Sequence, residues 1–261
     1  MENMISLVEL ADRYENSDFL EKDPSKFMHR YKKKINQEIV AFISANLAFG
    51  RREQILLHIE QICTYFEKDN LEPFDWIIEG KFYDYFPQSK KSFYRMYSFL
   101  DMRIFFESLQ KILMENGSLE SFFKEKWEQA LKDKNSEKTE KVYLHQVIAE
   151  SFPEKCALIC YGKNSAAKKL NMFLRWMVRD NSPVDLGLWN WYKKCDLIIP
   201  LDTHVMQQAT ELALLEKTSS GKAKSASLKT ALELTEKLSE YFPGDPVRGD
   251  YALFGLGVNK N

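Results

Sequence analysis

The chain is poor in the residues that punctuate or staple other fold classes. Its 261 residues include only 10 Gly and 8 Pro, below the average usage of roughly 7% and 5%. Runs of β-branched residues are scarce as well, so neither a turn-rich β-sandwich nor a low-complexity disordered chain is expected. Four cysteines, Cys63, Cys156, Cys160 and Cys195, are scattered without paired spacing. That excludes a disulfide scaffold and offers no zinc or iron–sulfur ligand pattern, so no metal and no cofactor is expected. Long apolar runs are missing: the longest stretch without a charged side chain, Ile39 to Gly50, is far short of the roughly 20 residues a membrane span needs. The opening MENMISLVELADRYEN is acidic and lacks a basic-then-apolar signal pattern, which points to a cytoplasmic protein with no membrane partner. There is no excess of one charge either. With a formal net charge of -1, any electrostatic attraction to nucleic acid must be local.

What is present is helical periodicity. Ile35, Ile39, Phe42, Ile43 and Leu47 mark a helix that Gly50 ends, and Ile55, Leu56, Ile59, Ile62 and Phe66 mark the next, close enough to be its antiparallel neighbour. An aromatic-rich stretch follows from about 71 to 114, most of it read as packing. The charged segment LKDKNSEKTEKVY, residues 131–143, reads as a surface loop and a candidate lobe boundary within one two-lobed domain spanning 1–261. Late helices are marked by Leu228, Ala231, Leu232, Thr235 and Leu238, and by DYALFGLGV.

One segment is locally basic. From Lys155 to Lys194 there are eight Lys or Arg against two acids, Asp180 and Asp185. Ser165 is a plausible N-cap for a helix to about Arg179, whose apolar face is Ala166, Leu170, Phe173, Leu174 and Met177. Lys168, Asn171, Arg175 and Arg179 fall on the opposite face and would form a basic ridge. Such a ridge suits a phosphate backbone, and an ordinary solvated helix face gives the same pattern. Further on, Asp202 or Thr203 caps a new helix, and capping alone is sufficient reason for a carboxylate at Asp202.

The succession GKNSAAKKLNMFLRWMVR, IPLDTHVMQQATELALL and DYALFGLG resembles the helix-hairpin-helix DNA glycosylase superfamily in order and spacing. Within it the chain is similar to an uncharacterised bacterial family carrying the string KRLNMFLRWMVR and an LDTH motif, and more distantly to the archaeal 8-oxoguanine DNA glycosylases. The resemblance implies an all-α, two-lobed helical bundle with a central cleft, acting as a monomer on damaged duplex DNA. It makes Lys168 the nucleophile and Asp202 the essential carboxylate, with Lys169 as the competing lysine. Helical geometry favours Lys168, because Lys169 lies about 100° away from Arg175 and Arg179. Lys163, Ser165, Lys169, Asn171, Arg175, Arg179 and His204 would contact nucleic acid. The hairpin of that superfamily carries glycines that let backbone N–H groups approach a phosphate; here the stretch reads CYGKNSAA, with only Gly162 and Asn164.

The chemistry asks for these two residue types. Breaking an N-glycosidic bond develops positive charge on the sugar, which a carboxylate stabilises, and a neutral amine attacking C1′ forms a Schiff base that permits strand cleavage. Reaching the bond needs a flipped nucleotide between apolar walls, for which Phe93, Tyr97, Trp176, Trp189 and Trp191 are candidates. Two other readings share the sequence features: a glycosylase-like scaffold that binds nucleic acid without catalysis, and a helical adaptor whose basic ridge meets an acidic protein.

Overall fold

The computed structural model describes residues 6–137, 141–159 and 162–258. Helix accounts for 61% of the chain and strand for 3%, so the all-helical expectation holds. The chain divides into two compact units, Met1–Glu21 with Gly162–Asn261, and Lys22–Tyr161. The N-terminal piece of the first unit holds α1 (Leu7–Tyr14) and α2 (Asp18–Glu21). The second unit opens with a 3₁₀ turn at Pro24–Arg30 and continues through α3 (Lys34–Leu47), α4 (Arg52–Lys68), α5 (Pro73–Ile78) and α6 (Phe82–Tyr85). A hairpin follows, of β1 (Ser92–Tyr94) and β2 (Tyr97–Ser98), and then α7 (Phe99–Asn116), α8 (Leu119–Glu137) and α9 (Leu144–Glu150). The first unit is completed by α10 (Lys168–Val178), α11 (Thr203–Glu211), α12 (Leu228–Tyr241) and α13 (Gly249–Val258).

In the second unit α3 is the central element. Its residues from Glu38 to Leu47 are all buried, and Phe42 stacks on Phe105 and Phe152 at ring-centroid distances of 5.8 and 5.5 Å. A second aromatic group joins Trp76, Phe82, Phe86 and Phe106. Each such pair adds about 0.5–1.5 kcal/mol to the area it buries. The expectation that the aromatic stretch is packing therefore holds for Trp76, Phe82, Phe86, Phe93 and Tyr97, which are buried, while Tyr83 stays exposed.

The segment at 131–143 is not a loop throughout: helix α8 runs on through Glu137, and the stretch lies inside the second unit instead of dividing the chain. Residues 138–140 lie outside the described residues, as does Cys160; Cys63 and Cys156 are buried thiols and Cys195 an exposed one.

In the first unit α13 packs against α1 and α11. Gly255 allows this approach, since a Cβ there would overlap the Tyr14 ring. Among the described residues no helix is long and apolar enough to cross a membrane.

Candidate active site

Local sequence determines where Lys168 sits. Helix α10 starts two residues later than a cap at Ser165 would put it: its N-cap is Ala167, held at φ +44° and ψ +44°, and no side-chain hydrogen bond caps its first N–H groups. Ser165 acts before the helix, its Oγ accepting from the Ala167 N–H at 3.1 Å, while its own N–H donates to the Gly162 carbonyl at 2.8 Å. The loop is tied to the start of α12 by the Leu228 N–H donating to the Asn164 carbonyl at 2.9 Å. Left-handed backbone at a non-glycine residue costs of order 1 kcal/mol or more. Lys168 and Lys169 then occupy the first turn of an uncapped helix, where the dipole disfavours cations by about 0.3–1 kcal/mol each. Local stability does not account for either feature.

Asp202 reaches Lys168 from a different element. It is the N-cap of α11, with Oδ1 accepting from the Val205 N–H at 2.9 Å. Its other oxygen, Oδ2, lies 2.8 Å from Lys168 Nζ. The cap thus uses one carboxylate oxygen and leaves the other to face Lys168. Side-chain exposures of 36% for Lys168 and 27% for Asp202 leave the pair within reach of a solute. Burial works to raise the Asp202 carboxyl, but the Lys168 ammonium and the Val205 N–H prevail and hold it below the usual carboxylate range.

Behind this pair lies a buried charge network. Arg175 Nε is 3.2 Å from Asp185 Oδ1, and its Nη1 contacts Asp250. Arg179 contacts Asp185 as well, Glu15 at 2.8 Å and Asp245 at 2.9 Å. The Tyr251 ring lies under both guanidiniums, at 4.5 and 5.4 Å. Asp185 enters because the chain folds back on the end of α10: Leu186 and Gly187 N–H groups donate to the Trp176 carbonyl. Gly187, at φ +60°, makes that turn, and a Cβ there would lie 2.7 Å from Asp180 Cα. Asp250, in the first turn of α13, is buried; burial pushes its carboxyl up to about 6 against the pull of Arg175, and Asp202 adds to the rise.

A family model described as "Protein of unknown function (DUF2400)" matches residues 23–259. The chain belongs to that family. Neither the curated proteins nor the solved structures compared with it gave a match.

Several predicted site residues of this DUF2400 chain require correction. Arg175 and Arg179 are 3% and 2% exposed and Asn171 is 1% exposed, so none of the three lines a phosphate-facing ridge. The guanidiniums are neutralised by four carboxylates, and Asn171 donates to the Ala166 carbonyl at 2.9 Å. The helix face opposite the Leu170–Phe173–Met177 stripe is covered too, because chain from both ends of the unit packs over it. Trp176 and Trp189 are fully buried and Phe93 and Tyr97 nearly so; none presents a ring face to an incoming base. Trp191 is half-buried and stacks on Trp189 at 5.6 Å. Lys163 and His204 are exposed, and Ser165 and Lys169 half-buried.

The acids Glu15, Asp185, Asp245 and Asp250 were not legible as site residues. Asp250 alone had a signal, as the first residue of DYALFGLG. Among the described residues no group of three or more His, Cys, Asp or Glu is arranged to hold a metal ion. A cavity of about 730 Å³ in the second unit, bounded by α7, α8 and α9 and lined by Ile112, Phe122 and Phe152, contains none of the predicted residues.

Proposed function

We propose that this protein is a DNA base-excision enzyme of the helix-hairpin-helix type, a glycosylase with lyase activity, in which Lys168 attacks C1′ and Asp202 stabilises the sugar cation. The observation that carries the reading is the 2.8 Å contact between Lys168 Nζ and Asp202 Oδ2, which joins residues 34 positions apart on separate helices. An ionised carboxylate is the form the oxocarbenium-like transition state needs, and Asp202 is held in that form. The ammonium of Lys168 must lose its proton before its lone pair displaces the base, and Asp202 Oδ2 is within direct transfer distance. As Nζ bonds to C1′ the carbon–nitrogen bond to the base breaks, its electron pair leaves with the base, and the proton held by Asp202 passes to the base and restores the carboxylate; opening of the C1′–O4′ bond, with a second amine proton carried by Asp202 to O4′, then gives the Schiff base that borohydride reduces. Lys163, Ser165, Lys169 and His204 supply accessible polar contacts for the DNA around the pair. The protein acts as a cytoplasmic monomer in this reading.

Borohydride trapping tests it. Wild-type protein should form a covalent adduct with at least one duplex in a panel of oxidised, deaminated and abasic lesions. Lys168→Gln should form none while binding the same duplex, and Asp202→Asn should slow base release while keeping its capping side chain. A second reading takes the same ion pair as a structural tie between α10 and α11 in a non-enzymatic nucleic-acid-binding scaffold. Failure of the wild type to trap on any lesion establishes that second reading over the first.

A further inference from the structure

A surface of the second unit outside the reactive pair brings two turns together. One is the α3–α4 turn, with Phe49, Gly50 and Arg51; the other is the tip of the β1–β2 hairpin, with Arg95 and Met96. The guanidinium of Arg95 sits 4.7 Å above the Phe49 ring centre, and the Tyr94 hydroxyl donates to the Phe49 carbonyl. Gly50, at φ +116°, makes the close approach feasible, because a Cβ there would lie 2.5 Å from Arg95 Nη1. The two turns form one braced platform.

Its surface chemistry is unusual for a solvated turn. Phe49 is 41% exposed and Met96 68%. Arg51 and Arg95 are exposed and form no ion pair among the described residues, and Lys90 and Lys91 are exposed at the far end of β1. Residues 49–52 and 89–97 contain no acid at all. Arg95 also occupies the first position of a two-residue hairpin turn at φ +52°, a position that normally goes to glycine or asparagine. Arg95 thus holds a left-handed turn position that glycine would take at less cost, over an exposed aromatic ring.

We propose that this platform binds the nucleic-acid backbone, with Arg51 and Arg95 on phosphates and Phe49 and Met96 against an exposed base or sugar. Exposed arginines that form no ion pair among the described residues match a phosphate array, and an exposed ring beside them matches a base face. The proposal shares with the preceding reading only the nature of the partner, and it concerns different residues in the other unit.

The test is fluorescence anisotropy with a labelled 20-mer duplex and its single strand at several salt concentrations, using wild type, Arg95→Gly and the double variant Arg51→Gln/Arg95→Gly. Glycine suits the left-handed turn, so the melting temperature should hold or rise. Binding by the double variant should fall about tenfold, and the log–log salt slope should drop by about two, one for each phosphate that an arginine no longer neutralises. Wild-type-like binding by the double variant overturns the proposal, as does a parallel fall in binding and melting temperature, which would make Arg95 a structural clamp. So does absence of binding by the wild type. The glycosylase reading is judged separately by trapping: weak binding by the platform variants, with no trapping by the wild type on any lesion, upholds the platform and rejects the glycosylase.

Discussion

Asp202 divides its carboxylate between two partners, since Oδ1 caps α11 while Oδ2 meets Lys168. Asp250 behind it carries a sharper consequence. Its carboxyl titrates at about 6 in the folded protein, above the roughly 3.9 of an unfolded chain. The folded state therefore binds the proton more tightly, so this group's contribution to stability is full below about pH 4 and is lost as pH rises through 6. The groups facing it are Arg175, Asp185, Asp202 and Lys168. In the proposed reaction, ionisation adds a second negative charge beside Lys168 and Asp202, which favours a developing sugar cation. The trapping rate should rise through about pH 6, and Asp250→Asn should remove that inflection while also removing the decline in melting temperature over the same range. A variant that keeps the wild-type inflection would assign it to another group. Lys168 and Asp202 were legible in the sequence because their motif order is specific. Asp250 was not singled out, because nothing in its neighbours marks it as the partner of an arginine 75 positions earlier.

At the scale of elements, helices with strong apolar periodicity were legible: α3, α4 and α12 lie where the spacing puts them, and α13 covers the stretch DYALFGLGV. The start of α10 was not, because a serine two residues before a left-handed alanine looks the same as an N-cap. Nor was the burial of its polar face. An arginine ridge reads as solvent-facing until the acids that cover it are known, and these come from the segment after α1, the 180–189 turn, the turn before Pro246 and α13. The 180–189 turn supplies the central one, Asp185, which is wholly buried and bridges both guanidiniums. Asp185→Ala would leave two buried arginines short of a counter-charge, at a cost of about 3–5 kcal/mol. Urea unfolding followed by tryptophan fluorescence should show that destabilisation in its midpoint. A change below about 1 kcal/mol, small beside the cost of breaking a buried pair, would mean that Asp245, Asp250 and Glu15 suffice to balance the two arginines.

Across the whole molecule the two ends of the chain build one unit. Helix α1 packs on α13, and Glu15 touches both Arg179 and Arg248, the latter at 2.8 Å. Arg248 has Asp12 as its other partner. The composition gave no hint of this, since a near-zero net charge hides a local pairing of basic helix with distant acids, and the division at Lys22 and Gly162 has no Pro/Gly-rich linker to mark it. Removing residues 1–21 takes away the α1 face under Gly255, one of the carboxylates on a buried arginine, and both partners of Arg248. Breaking the buried pair alone costs about 3–5 kcal/mol, against a total stability of roughly 5–15 kcal/mol for a domain. The truncated chain should therefore lose the folded form of the unit that holds Lys168, while the unit from Lys22 to Tyr161 keeps its own aromatic core. Trp176, Trp189 and Trp191 report on the first unit and Trp76 and Trp127 on the second. Truncation should shift to the red the emission of the first set and abolish trapping, with near-native emission retained by a truncated variant in which those three tryptophans are replaced by phenylalanine. Normal trapping by the truncated chain would show that α1 is dispensable and that the buried arginines are held by the C-terminal acids alone.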